Sequence, residues 1–193
     1  MAKKTPQPQS IYQLKITLRD IKPPIWRRVL VASDITLHDL HQVIQESMGW
    51  ADYHLHEFRI AGEHYGPPDP DGFVEVFDDA KTRLDQVIRG EKMKFLYEYD
   101  FGDGWQHEIL VEKVLPAEKG GVYPICIKGK RACPPEDVGG PWGYAEFLEA
   151  IADPEDSQHE DMLEWVGGEF DPEAFDLEMV NARLAIVGTR RRA

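Results

Sequence analysis

The chain has 193 residues, of which 35 are acidic and 22 are basic, so its formal net charge at pH 7 is −13. A field of this sign repels phosphate backbones and makes duplex DNA a disfavoured partner. With 42% hydrophobic residues the chain is too apolar to be disordered, and its length allows a core without disulfide or metal support.

The N-terminal residues 1–10 carry lysine and proline but no apolar segment typical of a signal peptide. No later stretch approaches the roughly 20 apolar residues of a membrane span. We therefore predict a disordered N-terminal tail, no membrane partner and a cytoplasmic location. In that reducing compartment Cys126 and Cys133, the only cysteines, are expected to be free thiols.

The first predicted elements are a hairpin and a helix. Residues 12–19 alternate apolar and polar side chains, and residues 25–32 form a second β-rich run. Thr36 and Asp39 are spaced to cap a helix that carries apolar residues at helical intervals and ends at Gly49. A strand at 54–60 follows, and this order resembles the start of a β-grasp domain.

The middle of the chain is predicted to complete a small sheet. Residues 61–80 are rich in glycine and proline, which indicates a long mobile loop and candidate lid with one short strand near 73–77. Residues 94–99 and 105–114 alternate strongly around a glycine-containing turn and predict a second hairpin. The sheet then has about five strands.

The last third changes character, from a Gly- and Pro-rich stretch at 120–143 to three helical patterns. Segregation of strands from helices favours the α+β class: a β-grasp-like mixed sheet around one helix, then a loop-rich segment and three C-terminal helices. The predicted organisation is a single domain at 11–187, with a sheet-rich part at 11–115, a loop and helical part at 116–187, and a basic tail at 188–193.

His54 and His56 lie two residues apart on a predicted strand, so their side chains are expected on one face, as in pairs that bind one metal ion. The alternative is a pair of hydrogen-bonded sheet histidines.

Residues 100–107 place two carboxylates and a histidine around a glycine-rich turn. His107 shares a strand face with apolar residues, so we expect it to be partly buried, with Asp100 or Asp103 as its partner. The alternative is that both aspartates bond the backbone of the turn itself.

The segment 133–140 sets Glu136 and Asp137 between two prolines and two glycines, which suits a preorganised site. The same carboxylates can instead cap the helix that follows. Cys133 is either a small packing residue or a modestly reactive thiol next to Arg131, whose charge favours the thiolate.

Several of these motifs occur together in one known family. They are Pro24-Ile25-Trp26-Arg27-Arg28, Tyr53-His54-Leu55-His56-Glu57-Phe58, Tyr99-Asp100-Phe101-Gly102-Asp103-Gly104-Trp105-Gln106-His107, residues 131–140, Gly143-Tyr144, Trp165-Val166-Gly167-Gly168 and Phe170-Asp171-Pro172. In this order they resemble the plasmid pRiA4b ORF-3-like family over residues 11–187. The resemblance implies a fold and a site rather than a reaction. Some relatives look like passengers of transposable elements labelled as resolvases, but this chain lacks the nucleophilic serine among clustered arginines that a serine recombinase needs.

Our leading hypothesis is a soluble binding or interaction module for a small ligand or protein. Its predicted pocket is polar and comprises His54, His56, Asp100, Asp103, His107, Cys133, Glu136 and Asp137. A metal-dependent hydrolase, acting on a phosphodiester for example, is the enzyme alternative, with a divalent ion held by His54, His56, Asp103 and His107. A mobile-element accessory protein and a purely structural polar network are the other interpretations. Oligomeric state is left open.

Overall fold

The structure, a computed structural model, describes residues 10–68 and 76–190. In this part of the chain the strands are β1 (Ser10–Leu18), β2 (Trp26–Ala32), β3 (His56–Ile60), β4 (Glu63–Gly66), β5 (Phe77–Asp78), β6 (Lys94–Tyr99), β7 (Trp105–Pro116) and β8 (Ile125–Lys130). The helices are α1 (Leu37–Met48), α2 (Leu84–Val87), α3 (Gly140–Ala152), α4 (His159–Val166) and α5 (Leu177–Arg190).

All the described strands join one open sheet in the order β5-β4-β3-β6-β7-β1-β2-β8. Neighbouring strands are antiparallel except β4 and β5, which are parallel. The two predicted hairpins are confirmed as β1–β2 and β6–β7. They meet through β1 and β7, so strands from the two ends of the sheet-rich part lie side by side at its centre.

Helix α1 begins and ends where local chemistry directs it. The Thr36 side chain accepts a hydrogen bond from the Asp39 amide at 3.0 Å, and the Asp39 carboxylate accepts one from the Thr36 amide at 3.2 Å. Gly49 ends the helix in the left-handed conformation at φ 100°. One face of α1 is buried and carries apolar residues together with His41 and Gln45.

The two faces of the sheet differ in chemistry because side chains alternate along each strand. One face is apolar and aromatic and includes the fully buried Trp105, Tyr97 and Phe58. The opposite face carries cross-strand ion pairs, of which Arg28–Glu112 and Lys94–Glu108 are examples. Arg59 also pairs with Glu98 there. Helix α5 packs against α1 and against β8, the strand at one edge of the sheet, and covers the apolar face there.

The α+β class is confirmed, but the β-grasp-like sheet of about five strands around one helix is not. The described sheet has eight strands, and five helices accompany it. Strands β4, β5 and β8 lie in stretches that glycine and proline content marked as loops, and tertiary pairing to β3 and β2 recruits them. The three C-terminal helices are present as α3, α4 and α5.

The predicted loop at 61–80 contains β4 and β5, so these parts of it pair within the sheet. The predicted strand near 73–77 and the predicted N-terminal tail lie largely outside the described residues. Helix α5 continues to Arg190, inside the segment predicted as a basic tail. Within residues 10–68 and 76–190, no helix combines the length and apolar character needed to cross a membrane.

Candidate functional site

The 100–104 turn lies directly against the loop that precedes α3. The amide of Gly139 donates a hydrogen bond to Asp103 Oδ2 at 3.2 Å. A Cβ atom on Gly140 would lie only 2.3 Å from the Asp103 carbonyl oxygen, so the two backbones touch at a point where only glycine fits. The segments that carry Asp100, Asp103, Glu136 and Asp137 are therefore neighbours in space.

His54 lies where the 100–104 turn meets the loop before α3, and it faces two carboxylates. Its Nε2 atom lies 3.1 Å from Asp137 Oδ1 and 3.6 Å from Asp100 Oδ2. Neither contact has hydrogen-bond geometry, so this buried ring nitrogen has no hydrogen-bond partner among the described residues. We call His54, Asp100 and Asp137 the carboxylate–histidine cluster. Their ligand atoms all lie within 4.8 Å of one another.

Glu136 ties the loop before α3 to the segment that carries His54. One carboxylate oxygen accepts a hydrogen bond from the Tyr99 hydroxyl at 2.6 Å, and the other accepts one from the Ala51 amide at 2.9 Å. The Tyr99 hydroxyl oxygen in turn accepts from the Tyr53 amide at 2.9 Å. Burial and the Glu136 charge both raise the pKa of Tyr99. Glu136 thus acts as a positioning residue.

Three aspartates in this region adopt the left-handed backbone conformation. The φ angles are 60° for Asp52, 56° for Asp100 and 59° for Asp137. Aspartate tolerates this region better than most residues, but it is still uncommon there. The Asp100 side chain compensates by accepting hydrogen bonds from the Gly102 and Asp103 amides at 3.0 and 3.3 Å. The turn alternative therefore holds for one oxygen of Asp100, while the other faces His54.

Large apolar side chains on the same segments are left in solvent. Tyr53 is 78% exposed, Leu55 63%, Phe101 53% and Trp142 85%. A cleft of about 320 Å³ opens next to Asp137, between the loop before α3, α3 and α4, and includes the side chains of Phe147 and Trp165. Exposed aromatic side chains and an adjoining cleft are typical of a binding surface.

The structure separates the two histidines that were predicted to share a metal ion. Strand β3 begins at His56, so His54 precedes the strand and the two-residue alternation does not apply to it. His56 Nε2 instead lies 2.8 Å from Asp79 Oδ2, and His38 Nδ1 lies 3.8 Å from the same oxygen. We call His38, His56 and Asp79 the His38 cluster. Among the described residues, the groups that could hold a metal ion therefore do not combine His54, His56, Asp103 and His107.

His41 lies beside the His38 cluster and stacks on His56, with ring centroids 3.6 Å apart and an interplanar angle of 7°. Its Nδ1 atom lies 2.7 Å from the Tyr97 hydroxyl, and its Nε2 atom lies 2.8 Å from Asp52 Oδ1. Burial lowers the pKa of His41, so we assign a neutral ring that donates to Asp52 and accepts from Tyr97. Sequence reasoning missed His38 and His41, although their three-residue spacing places both on one side of a helix.

His107 is fully buried and has no carboxylate partner among the described residues. Its Nδ1 atom donates to the Trp105 carbonyl oxygen at 3.2 Å, and Trp50 packs edge-on at 5.4 Å. The predicted pairing with Asp100 or Asp103 is wrong because His107 points to the inner face of the sheet, whereas both aspartates lie in the turn beyond the strand end. Burial lowers the pKa of His107 to about 3.

The low pKa of His107 predicts a pH-dependent loss of stability. Below the unfolded-state value of 6.5, the unfolded chain takes up a proton that the folded protein does not bind. The contribution of neutral His107 to the free energy of unfolding is complete above pH 6.5 and is lost as the pH falls toward about 3. From about pH 7 to pH 5 we expect the free energy of unfolding of the wild type to fall by about 2 kcal/mol more than that of His107→Phe. Urea denaturation at both pH values measures this difference. An equal fall in the free energy of unfolding for the two proteins would contradict the low pKa assigned to His107.

Cys133 and Cys126 are both free thiols. Burial raises the pKa of the Cys133 thiol to about 12, with Arg27 opposing that effect only in part. Arg131 pairs with Glu173 at 2.8 Å. These observations favour the alternative in which Cys133 is a protonated packing residue over a thiolate next to Arg131.

Comparisons with known proteins place the chain among relatives of similar length. It is 42% identical over 174 residues to the uncharacterized protein y4hQ of Sinorhizobium fredii, covering 89% of each chain. The crystal structure of a protein of unknown function from Methanosarcina mazei superposes with a TM-score of 0.81 at 41% identity, covering 89% of this chain and 97% of that one. The family model described as plasmid pRiA4b ORF-3-like protein matches residues 10–179. The chain therefore belongs to the plasmid pRiA4b ORF-3-like protein family, as the motifs predicted.

Proposed function

We propose that the protein is a binding module that recognises an ammonium group, such as a lysine side chain, on a partner protein. The observation that carries this proposal is the convergence of His54, Asp100 and Asp137, whose ligand atoms lie within 4.8 Å of one another. His54 Nε2, which is an acceptor when the proton is on Nδ1, lies 3.1 Å from Asp137 Oδ1 and 3.6 Å from Asp100 Oδ2. An ammonium group has three donors and no acceptor, so it matches such a set. It would also satisfy the buried His54 Nε2 atom, which lacks a hydrogen bond among the described residues.

The surroundings of the carboxylate–histidine cluster favour a peptide over a free amine. Tyr53, next to His54 in the chain, and Trp142, in the first turn of α3, both offer exposed aromatic surface. The cleft beside Asp137 has the size and the apolar lining to accept a neighbouring side chain of the same partner. Lysine stems also bury apolar surface while the charged end makes polar contacts.

The net charge of −13 acts in the same direction at longer range. A strongly acidic protein attracts basic segments and speeds their encounter, and this effect weakens with added salt. The metal-dependent hydrolase stays a prediction. Among the described residues, the groups that could hold a metal ion include two imidazoles only at the His38 cluster. The mobile-element role also stays a prediction, with no structural observation in its favour.

Selection from a phage-displayed random peptide library tests the proposal. We expect enriched peptides to contain lysine next to an apolar residue, and we expect acetylation of that lysine to weaken binding at least about tenfold, since it removes the charge. Asp137→Asn and Trp142→Ala should each weaken binding by about tenfold. Isothermal titration calorimetry with synthetic peptides, in the presence of a chelator, measures these affinities.

Two controls make the same kinds of change elsewhere on the exposed surface. Glu108→Gln removes a half-exposed carboxylate from the opposite face of the sheet, and Met179→Ala removes an exposed apolar side chain from α5. Both should bind the selected peptides like the wild type. Enrichment of peptides without lysine, or unchanged affinity after acetylation, would overturn the proposal.

A further inference from the structure

The His38 cluster brings two imidazoles and one carboxylate together from three separate elements. His38 comes from the first turn of α1, His56 from the start of β3, and Asp79 from the residue after β5. One ligand atom from each lies within 4.8 Å of the other two. Two ligand atoms at about 2.0–2.2 Å from one tetrahedral ion lie roughly 3.3–3.6 Å apart. The His56–Asp79 distance of 2.8 Å and the His38–Asp79 distance of 3.8 Å lie on either side of that spacing.

Asp79 is 2% exposed, and the ion pairs that the described residues make with it come from His38 and His56 alone. Burying a carboxylate is unfavourable unless a cation accompanies it. A bound divalent cation would supply the positive charge that compensates this buried carboxylate.

The backbone fixes this arrangement before any ligand arrives. The His38 amide donates to the Asp79 carbonyl oxygen at 3.2 Å, and the Asp79 amide donates to the Gly66 carbonyl oxygen at 3.2 Å. The stack of His56 on neutral His41 holds the plane of the His56 ring. Preformed ligand geometry of this kind reduces the entropy lost on binding.

The geometry points to a divalent transition-metal site, and we propose that His38, His56 and Asp79 bind one Zn²⁺ or similar ion. Two imidazole nitrogens and one carboxylate oxygen suit Zn²⁺, Fe²⁺ or Ni²⁺ better than Mg²⁺ or Ca²⁺, which prefer oxygen ligands. The His38 side chain is 49% exposed, so the ion has a path to solvent and an open position for water. This site is distinct from the carboxylate–histidine cluster, and neither proposal depends on the other.

Zinc retention by tag-free, full-length protein tests this inference. The protein is treated with a chelator, incubated with zinc chloride alone, desalted, and analysed by elemental mass spectrometry. We expect about one zinc per chain for the wild type and at least a tenfold loss of zinc affinity in His38→Ala and in Asp79→Asn. His38→Ala is the primary variant because its partly exposed side chain can be removed without opening the core.

Two histidine controls identify the site. His64→Ala removes a side chain that is 48% exposed and pairs with Glu57, which makes it a close match for His38. His54→Ala removes the imidazole of the carboxylate–histidine cluster. Both controls should retain zinc like the wild type. No zinc retention by the wild type, unchanged affinity in His38→Ala, or loss of zinc in His54→Ala would each overturn the proposal.

Discussion

Arg27→Met is expected to lower the free energy of unfolding by about 3 kcal/mol, because it leaves several buried carbonyl groups without a donor. Arg27 is 3% exposed. Its Nε atom donates to the Ser47 carbonyl oxygen at 2.8 Å, and its Nη1 atom donates to the carbonyl oxygens of Trp26 and Lys130, both at 3.0 Å. Urea denaturation at neutral pH measures the change.

The position of Arg27 explains why its loss should be large. Ser47 lies in the last turn of α1, a turn that contains no basic residue of its own. Arg27 therefore supplies from β2 the positive charge that a helix C-terminus favours. It also reaches the end of β8 and lies over the Phe175 ring at 4.7 Å. One side chain thus connects the edge of the sheet to α1 and to the segment that precedes α5.

The neighbouring Arg28 provides the matched control. It lies on the opposite face of β2 and forms a partly exposed pair with Glu112 at 2.6 Å. Arg28→Met should lower the free energy of unfolding by about 1 kcal/mol or less, since exposed ion pairs contribute little. Equal losses for the two variants would contradict the role assigned to Arg27.

Gly140→Ala is expected to lower the free energy of unfolding by about 3 kcal/mol and to weaken ligand binding as well. The new Cβ would lie 2.3 Å from the Asp103 carbonyl oxygen, at a φ angle of 69° that L side chains rarely adopt. Relief requires the 100–104 turn to move away from the loop before α3, which separates Asp100 from Asp137. Thermal and urea denaturation, together with titration of a selected lysine peptide, measure both effects.

Gly139→Ala separates backbone strain from contact. Gly139 also has a positive φ angle, of 92°, but the nearest atom to an added Cβ is Gly143 Cα at 3.5 Å. Its substitution should lower the free energy of unfolding by about 1 kcal/mol, from strain alone. The close approach of the two segments would be refuted if Gly139→Ala destabilised the protein as much as Gly140→Ala.

Elements with local signals were predictable from the sequence. Helix α1 is capped by neighbours three residues apart and ends at a glycine, and each hairpin joins adjacent alternating runs. Strand β8 carries no such signal. Its exposed Ile125 and Ile127 alternate with buried Cys126, but the run is short and surrounded by glycine and proline. Pairing with β2 makes it a strand, and this depends on residues about 100 positions away.

The candidate site was predictable only in part, because long-range pairing also decides which residues meet there. The special residues in 100–104 and 136–140 marked both segments, and the family resemblance placed them in one protein. The sequence did not show which histidine joins these two segments, because that depends on where β3 begins. The strand was predicted from residue 54 but begins at His56, so His54 lies before it and joins the site. Asp79 could not be assigned at all, because a parallel pairing of β5 with β4 and long-range backbone bonds position it next to α1.

The short segment that contains Asp52, His54 and His56 connects the two proposed sites. Asp52 bonds His41, His56 stacks on His41, and the His54 ring lies 3.1 Å from Asp137. An ion that shifts the start of β3 would therefore change the affinity for a lysine-bearing partner. By linkage, the partner must change the affinity for the ion by the same factor. The free energy of coupling between the two sites can thus be measured from either ligand.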